Sequence, residues 1–154
     1  MGIRNNIYDL DRDLAMELHK QMWKRMLKKA KSGKFPLKNN ILQEMGYVSQ
    51  MMVCDCFLCT YGWMQVLKLR EGEEHDQLIR HTEEGSHKQC DWCPYKFTKD
   101  DSCTTPCTAE DSPFRNYDII KAELQMGHIN EEFACKEVAG YCKKMLELEE
   151  VHAS

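Results

Sequence analysis

No apolar run in this 154-residue chain approaches the eighteen residues that a membrane-crossing helix needs, so a membrane span is excluded. The opening residues Met1-Gly2-Ile3-Arg4-Asn5-Asn6 lack the hydrophobic core of a signal peptide. Position 6 is Asn, where a myristoylation start needs Ser or Thr. These absences point to a reducing cytoplasm, where clustered cysteines bind metal more often than they pair as disulfides. A phosphate-binding glycine loop, a nucleophile elbow and a dinucleotide fingerprint are also missing. The fragment His81-Thr82-Glu83, followed by Pro106-Cys107, echoes the zinc-deaminase signature, but that signature needs a second cysteine where this chain has Glu110. There is no repeat and no low-complexity tract, and the one stretch with strand character is Met51–Val53. No catalytic constellation emerges, and the chain reads as a non-enzyme.

What the chain has in abundance is cysteine. Seven of its nine cysteines fall between positions 54 and 107. Cys56-Phe57-Leu58-Cys59 and Cys90-Asp91-Trp92-Cys93 are two C-x2-C turns about thirty residues apart. Each such turn aims two sulfurs at one point, and two turns complete a tetrahedral shell. Cys56, Cys59, Cys90 and Cys93 are therefore the expected zinc ligands. Cys54, His87, Cys103 and Cys107 are additional candidates, either for a second ion or as a replacement in the first shell; Cys103, ten residues beyond Cys93, is the best substitute. Four thiolates also hold iron–sulfur clusters, but the usual ferredoxin spacings are absent, Cys54-x-Cys56-x2-Cys59 being close to but not that pattern, so zinc comes first and iron–sulfur second. A closed four-sulfur shell leaves no open position for substrate and reads as structural. Cys135 and Cys142 read as buried small hydrophobes or free thiols, and His19, His75, His81, His128 and His152 as scattered surface histidines.

Net charge is −4, unevenly spread. Residues 1–34 carry nine Lys/Arg against four Asp/Glu, whereas residues 71–86 carry six acids against Arg80 alone. The first long element is a helix over about Asp11–Lys31, capped by Asp9 or Asp11 and stopped by Ser32-Gly33. Leu18, Met22, Trp23, Met26, Leu27 and Ala30 share one half of its wheel, and Lys20, Lys24, Lys28 and Lys31 the other. A shorter helix follows over Leu37–Met45, ending at Gly46. The stretch Thr60–Leu69 is apolar and helical, which sets the first knuckle at a helix start, where amide groups stabilise thiolates. An acidic connector with a helix near Asp76–His81 leads to the second knuckle, and residues 98–112 are mostly turn formers. Ser112-Pro113 opens a helix that runs to about Met126 and stops at Gly127; Asn130 then caps the last helix. Along that last helix Ala134, Val138, Tyr141, Met145 and Leu148 repeat as a two-heptad apolar seam. The default partner of this seam is the preceding helix, and a homodimer through the C-terminal helix is the sharper alternative.

The expected fold is thus mainly α, with little or no β: one small helical domain over residues 1–154, stapled by a four-cysteine zinc knuckle. Its parts are N-terminal helices over 1–50, a cysteine-rich metal-binding region over 51–110 and a C-terminal helical hairpin over 111–154.

The order His19-Lys20-Gln21-Met22-Trp23, Cys56-Phe57-Leu58-Cys59, Cys90-Asp91-Trp92-Cys93-Pro94, Cys103 and Ser112-Pro113-Phe114 resembles small cysteine-rich proteins of bacteriophages and bacterial mobile elements. In these an LH-x-x-MW helix precedes a CF-x-C knuckle, a C-x-x-CP knuckle, a further cysteine and a Ser-Pro-aromatic helix start. The chain departs from that pattern in its acidic insert and in Cys54 and Cys107. The resemblance implies a phage or prophage context and supports Cys56, Cys59, Cys90 and Cys93 as shared ligands; it supplies no catalytic residue.

The leading functional expectation is a zinc-stabilised, non-enzymatic interaction protein in the host bacterial cytoplasm, which occupies a host protein. An inhibitor of a host defence protein is one concrete version. Its contact surface would be the basic helix (Lys20, Lys24, Lys28) or the acidic stretch (Glu73, Glu74, Asp76). The alternative is a nucleic-acid-binding zinc module that presents Lys88, Trp92, Tyr95, Lys96, Phe97 and Lys99 to a strand, with aromatic rings stacking on bases. The acids around that patch weigh against it.

Overall fold

A computed structural model describes residues 10–52, 55–69 and 112–147. Among the described residues the protein is built from five α-helices and one turn of 3-10 helix, with no strand. The helices are α1 (Arg12–Lys31), α2 (Lys38–Glu44), α3 (Phe57–Leu69), α4 (Pro113–Gln125) and α5 (Glu131–Glu147), with the 3-10 turn at Ser49–Met51. Met51, expected in a short strand, belongs instead to this 3-10 turn. Met52 after it is extended at φ −115°, ψ 156° but pairs in no strand, and Val53 lies outside the described residues.

The helix ends follow local chemistry. The Asp11 carboxylate accepts the Leu14 N–H at 2.7 Å, and Lys28, Lys29 and Lys31 crowd the last turn of α1, where the helix dipole is negative. Gly33 then takes φ +90°, a left-handed conformation that a side chain strains. At α4 the Ser112 hydroxyl accepts from Phe114 N–H at 3.2 Å, and Pro113 fills the first turn. Gly127 reverses the chain at φ +77°, and the Asn130 side chain caps α5 by accepting from Phe133 N–H at 2.8 Å.

α1 is the hub. It packs along α5 and α3 and touches α2, while α4 packs along α5. Its buried side is wider than the sequence wheel suggests: Ala15, Met16, Leu18, His19, Met22, Trp23, Met26 and Ala30 are all buried. Such breadth is what a helix needs when partners cover it from more than one direction. Of the α5 seam, Ala134, Val138 and Met145 are buried in this core and Tyr141 is half-buried, with Cys142 buried beside them; Leu148 lies outside the described residues. The seam is thus spent within the chain, against α1 and α4.

The centre of the core is an aromatic cluster around Trp23, which is fully buried. Phe114 and Tyr117 meet the Trp23 ring edge to face, at centroid distances of 5.7 and 6.2 Å, and Phe35 stacks on Tyr117 at 5.7 Å. The Tyr117 hydroxyl donates to Pro36 C=O at 2.8 Å and accepts from Lys38 N–H at 3.2 Å. The Phe35 N–H in turn donates to Glu131 at 3.2 Å, so the segment between α1 and α2 is tied to both C-terminal helices. Lys38 is buried with its Nζ 4.7 Å from the Tyr117 ring centre and 5.3 Å from that of Trp23, a cation over aromatic faces.

Candidate metal centre

The first C-x2-C turn is fully formed. The 3-10 turn carries Ser49 to within hydrogen-bonding reach of Asp55, whose carboxylate accepts from the Ser49 hydroxyl. Asp55 itself adopts φ +52°, a left-handed conformation that Asp tolerates better than most residues. That reversal delivers Cys56 to the N-terminus of α3. The helix begins at Phe57, inside the knuckle, earlier than the Thr60 start expected from sequence. Thr60 explains the register: its N–H and its hydroxyl both bond the Cys56 carbonyl, at 3.0 and 2.8 Å. Phe57 and Leu58 are buried, and Phe57 meets Tyr47 edge to face at 5.2 Å. The residues between the two cysteines therefore anchor the turn in the core, while Cys59 stays half-buried.

Cys56 is 6 % exposed, and its sulfur gathers donors. The Cys59 side chain, the His19 ring and the Cys59 backbone N–H are the groups that act on it. The Cys59 contact holds the Cys56 thiol well below its ordinary range, burial opposes this, and His19 and the Cys59 amide pull it down further. The result favours the thiolate, the form that binds metal.

His19 corrects the sequence reading. Expected among scattered surface histidines, it is 1 % exposed, on the inner face of α1. Its ring packs between Trp23 and Phe114, at centroid distances of 6.2 and 5.7 Å. Cys135 and Cys142 are both buried and free, as read. Burial pushes the Cys142 thiol up to about 12, against the pull of nearby Lys38.

Lys20, Lys24 and Lys28 stand exposed on the outer face of α1. Lys29, nearer the boundary, forms a 3.5 Å ion pair with Glu44 of α2. The remaining expected site residues lie outside the described residues: Cys54, His87, Cys90, Cys93, Cys103 and Cys107, the acidic Glu73, Glu74 and Asp76, and Lys88, Trp92, Tyr95, Lys96, Phe97 and Lys99. Among the described residues no group of three or more His, Cys, Asp or Glu side chains is arranged to hold a metal ion. What the described residues bring together is two free cysteines at the start of α3, Cys56 buried and Cys59 half-buried. No helix among the described residues is long and apolar enough to cross a membrane. No known protein family, curated protein or solved structure matches the chain.

Proposed function

We propose that the protein is a zinc-stapled helical interaction protein without an active site of its own. Cys56 and Cys59 supply two thiolates, and Cys90 and Cys93 the other two. The contact surface is the basic outer face of α1, with Lys20, Lys24 and Lys28 facing an acidic surface of a host protein. The phage resemblance suggests a defence protein as the target.

The observation that carries this reading is the formed knuckle. Its paired sulfurs sit at a helix N-terminus, seated on the inner face of the helix whose outer face carries the lysine stripe. A metal held there would tie the cysteine-rich segment to the helical core. It would also make the fold metal-dependent, because the unfolded chain has no preformed site.

The test is a pair of substitutions in the full chain. Cys59→Ser should abolish metal uptake and lower the thermal midpoint, whereas Cys142→Ala, in the core, should keep full metal content. Equal metal content in both variants would sink the ligand assignment. For the surface, the chain should not bind generic single- or double-stranded DNA at low salt. Binding that weakens steeply as salt rises would move the protein to the nucleic-acid class instead.

A further inference from the structure

We propose that the groove between α1 and the chain that follows α2 seats one large apolar side chain of an acidic partner segment, with Arg25 at its edge to meet a flanking carboxylate. This rests on the basic-face reading above and names the chemistry of the segment that this face meets: an apolar anchor set among acids.

Three observations converge. The first is the lining of the groove, which holds about 310 Å³. Leu14 and Leu18 of α1 line it together with Met45 and Tyr47, and Gln21 and Arg25 complete it. Leu18 and Tyr47 are buried and Leu14 and Met45 half-buried, whereas Gln21 and Arg25 are exposed. An apolar floor with a few polar groups at its edge is the usual make-up of a side-chain pocket. The second is rigidity. Gly46 takes φ +91° and turns the chain at the end of α2. The Tyr47 N–H then donates to Leu42 C=O at 2.9 Å, and its ring meets buried Phe57 edge to face at 5.2 Å. This wall is fixed before anything binds, so binding loses little conformational freedom there. The third is charge. From Lys20 to Lys31, α1 carries six cations (Lys20, Lys24, Arg25, Lys28, Lys29 and Lys31) and no acid. Among the described residues only Lys29 of these meets a carboxylate, that of Glu44 at 3.5 Å. Glu17, which also lines the groove, accepts from the Gln21 amide at 3.3 Å. The remaining cations complement an acidic segment, and Arg25 stands where their stripe meets the apolar floor. A seated apolar anchor supplies affinity, and the charges around it supply orientation and encounter rate.

The probe is a set of short fluorescein-labelled peptides, Asp and Glu throughout except for a central Leu, Trp or Ser. Anisotropy titrations with the full-length chain at low salt compare them, with circular dichroism to verify the helicity of each variant. The Leu and Trp peptides should bind about tenfold more tightly than the Ser peptide, the effect of burying one apolar side chain. All three should weaken as salt rises. Leu14→Gln removes an apolar wall without changing charge and should erase most of the preference for Leu over Ser. Arg25→Gln should weaken all three peptides by about two- to fivefold, the usual worth of an exposed ion pair. Equal affinities for the three peptides, or an undiminished preference in Leu14→Gln, would overturn the groove while leaving the basic-face reading in place. If no peptide binds at low salt, both fall. Should Leu14→Gln fail to fold, the methyl-labelled parent decides. The Leu peptide should move the Leu14, Leu18 and Met45 methyl resonances, and the Ser peptide should leave them in place. Methyls that the Leu peptide does not move would contradict the proposal. Methyls that move with the concentration of the free chain instead would give the groove to a second copy and overturn it as well.

Discussion

Single residues carry much of the stability here because they close specific gaps. The Tyr117 hydroxyl serves both Pro36 C=O and Lys38 N–H from inside the aromatic cluster. Tyr117→Phe keeps the ring contacts and leaves both backbone groups without that partner. Urea unfolding should show a loss of about 1–3 kcal/mol, the cost of stranding buried polar groups. Cys142 makes stability pH-dependent. The unfolded chain deprotonates this thiol near its ordinary value of about 8.5, the folded chain only near about 12. Between those values the native state holds a proton that the unfolded state has lost, so stability from this group is complete below the window and falls as pH rises through it. Urea midpoints at about pH 8 and about pH 10 should drop less in Cys142→Ala than in the parent. Burial of Cys142 was legible from the sequence, because it lies four residues after Val138 and three before Met145, on the same helix face. Burial of His19 was not. It lies between Leu18 and the Lys20 of the basic face, and its placement depends on Phe114, which arrives from a helix far along the chain. Lys38 was equally opaque: three rings from two distant segments enclose it, and nothing local marks that environment.

At the scale of helices the local code is direct. Asp11, Ser112 and Asn130 each cap the helix expected of them, and Gly33 and Gly127 follow the ends of α1 and α4. Removing the Asp11 side chain in Asp11→Ala should cost about 0.5–2 kcal/mol in urea unfolding, the usual worth of an N-cap. The start of α3 was misplaced because Phe57 and Leu58 read as knuckle residues between two ligands. In the fold they are core residues, and the Thr60 side chain bonds back to Cys56 to draw the helix into the knuckle. Of the Met51–Val53 stretch, Met51 joins the 3-10 turn while Met52 is extended; a short apolar run has no period to decide between helix and strand. The seam of α5 shows the reverse limit: its spacing was plain, but spacing cannot say whether the partner is α1, α4 or a second copy. α1 is the answer the packing supplies, with α4 beside it.

For the whole molecule, the described helices form one continuous core that joins the N-terminal and C-terminal segments. The knuckle enters that core through Cys56, Phe57 and Leu58. A metal bound there would couple the cysteine-rich segment to the rest of the fold. Chelator treatment of reduced protein should therefore lower the thermal midpoint of the entire helical transition, since a ligand that binds only the native state stabilises all of it. A midpoint indifferent to chelator would separate the knuckle from the core. The fold class was readable because helix caps, breaks and apolar periods are local. Of the candidate site, spacing names four sulfurs, of which the described residues include Cys56 and Cys59, and the burial of His19 is not written in that spacing. The most direct test of the central claim is metal analysis of purified, untagged full-length protein with an absorption spectrum alongside. The account predicts about one zinc per chain and no visible colour. Iron with a brown chromophore, or no bound metal at all, would contradict it.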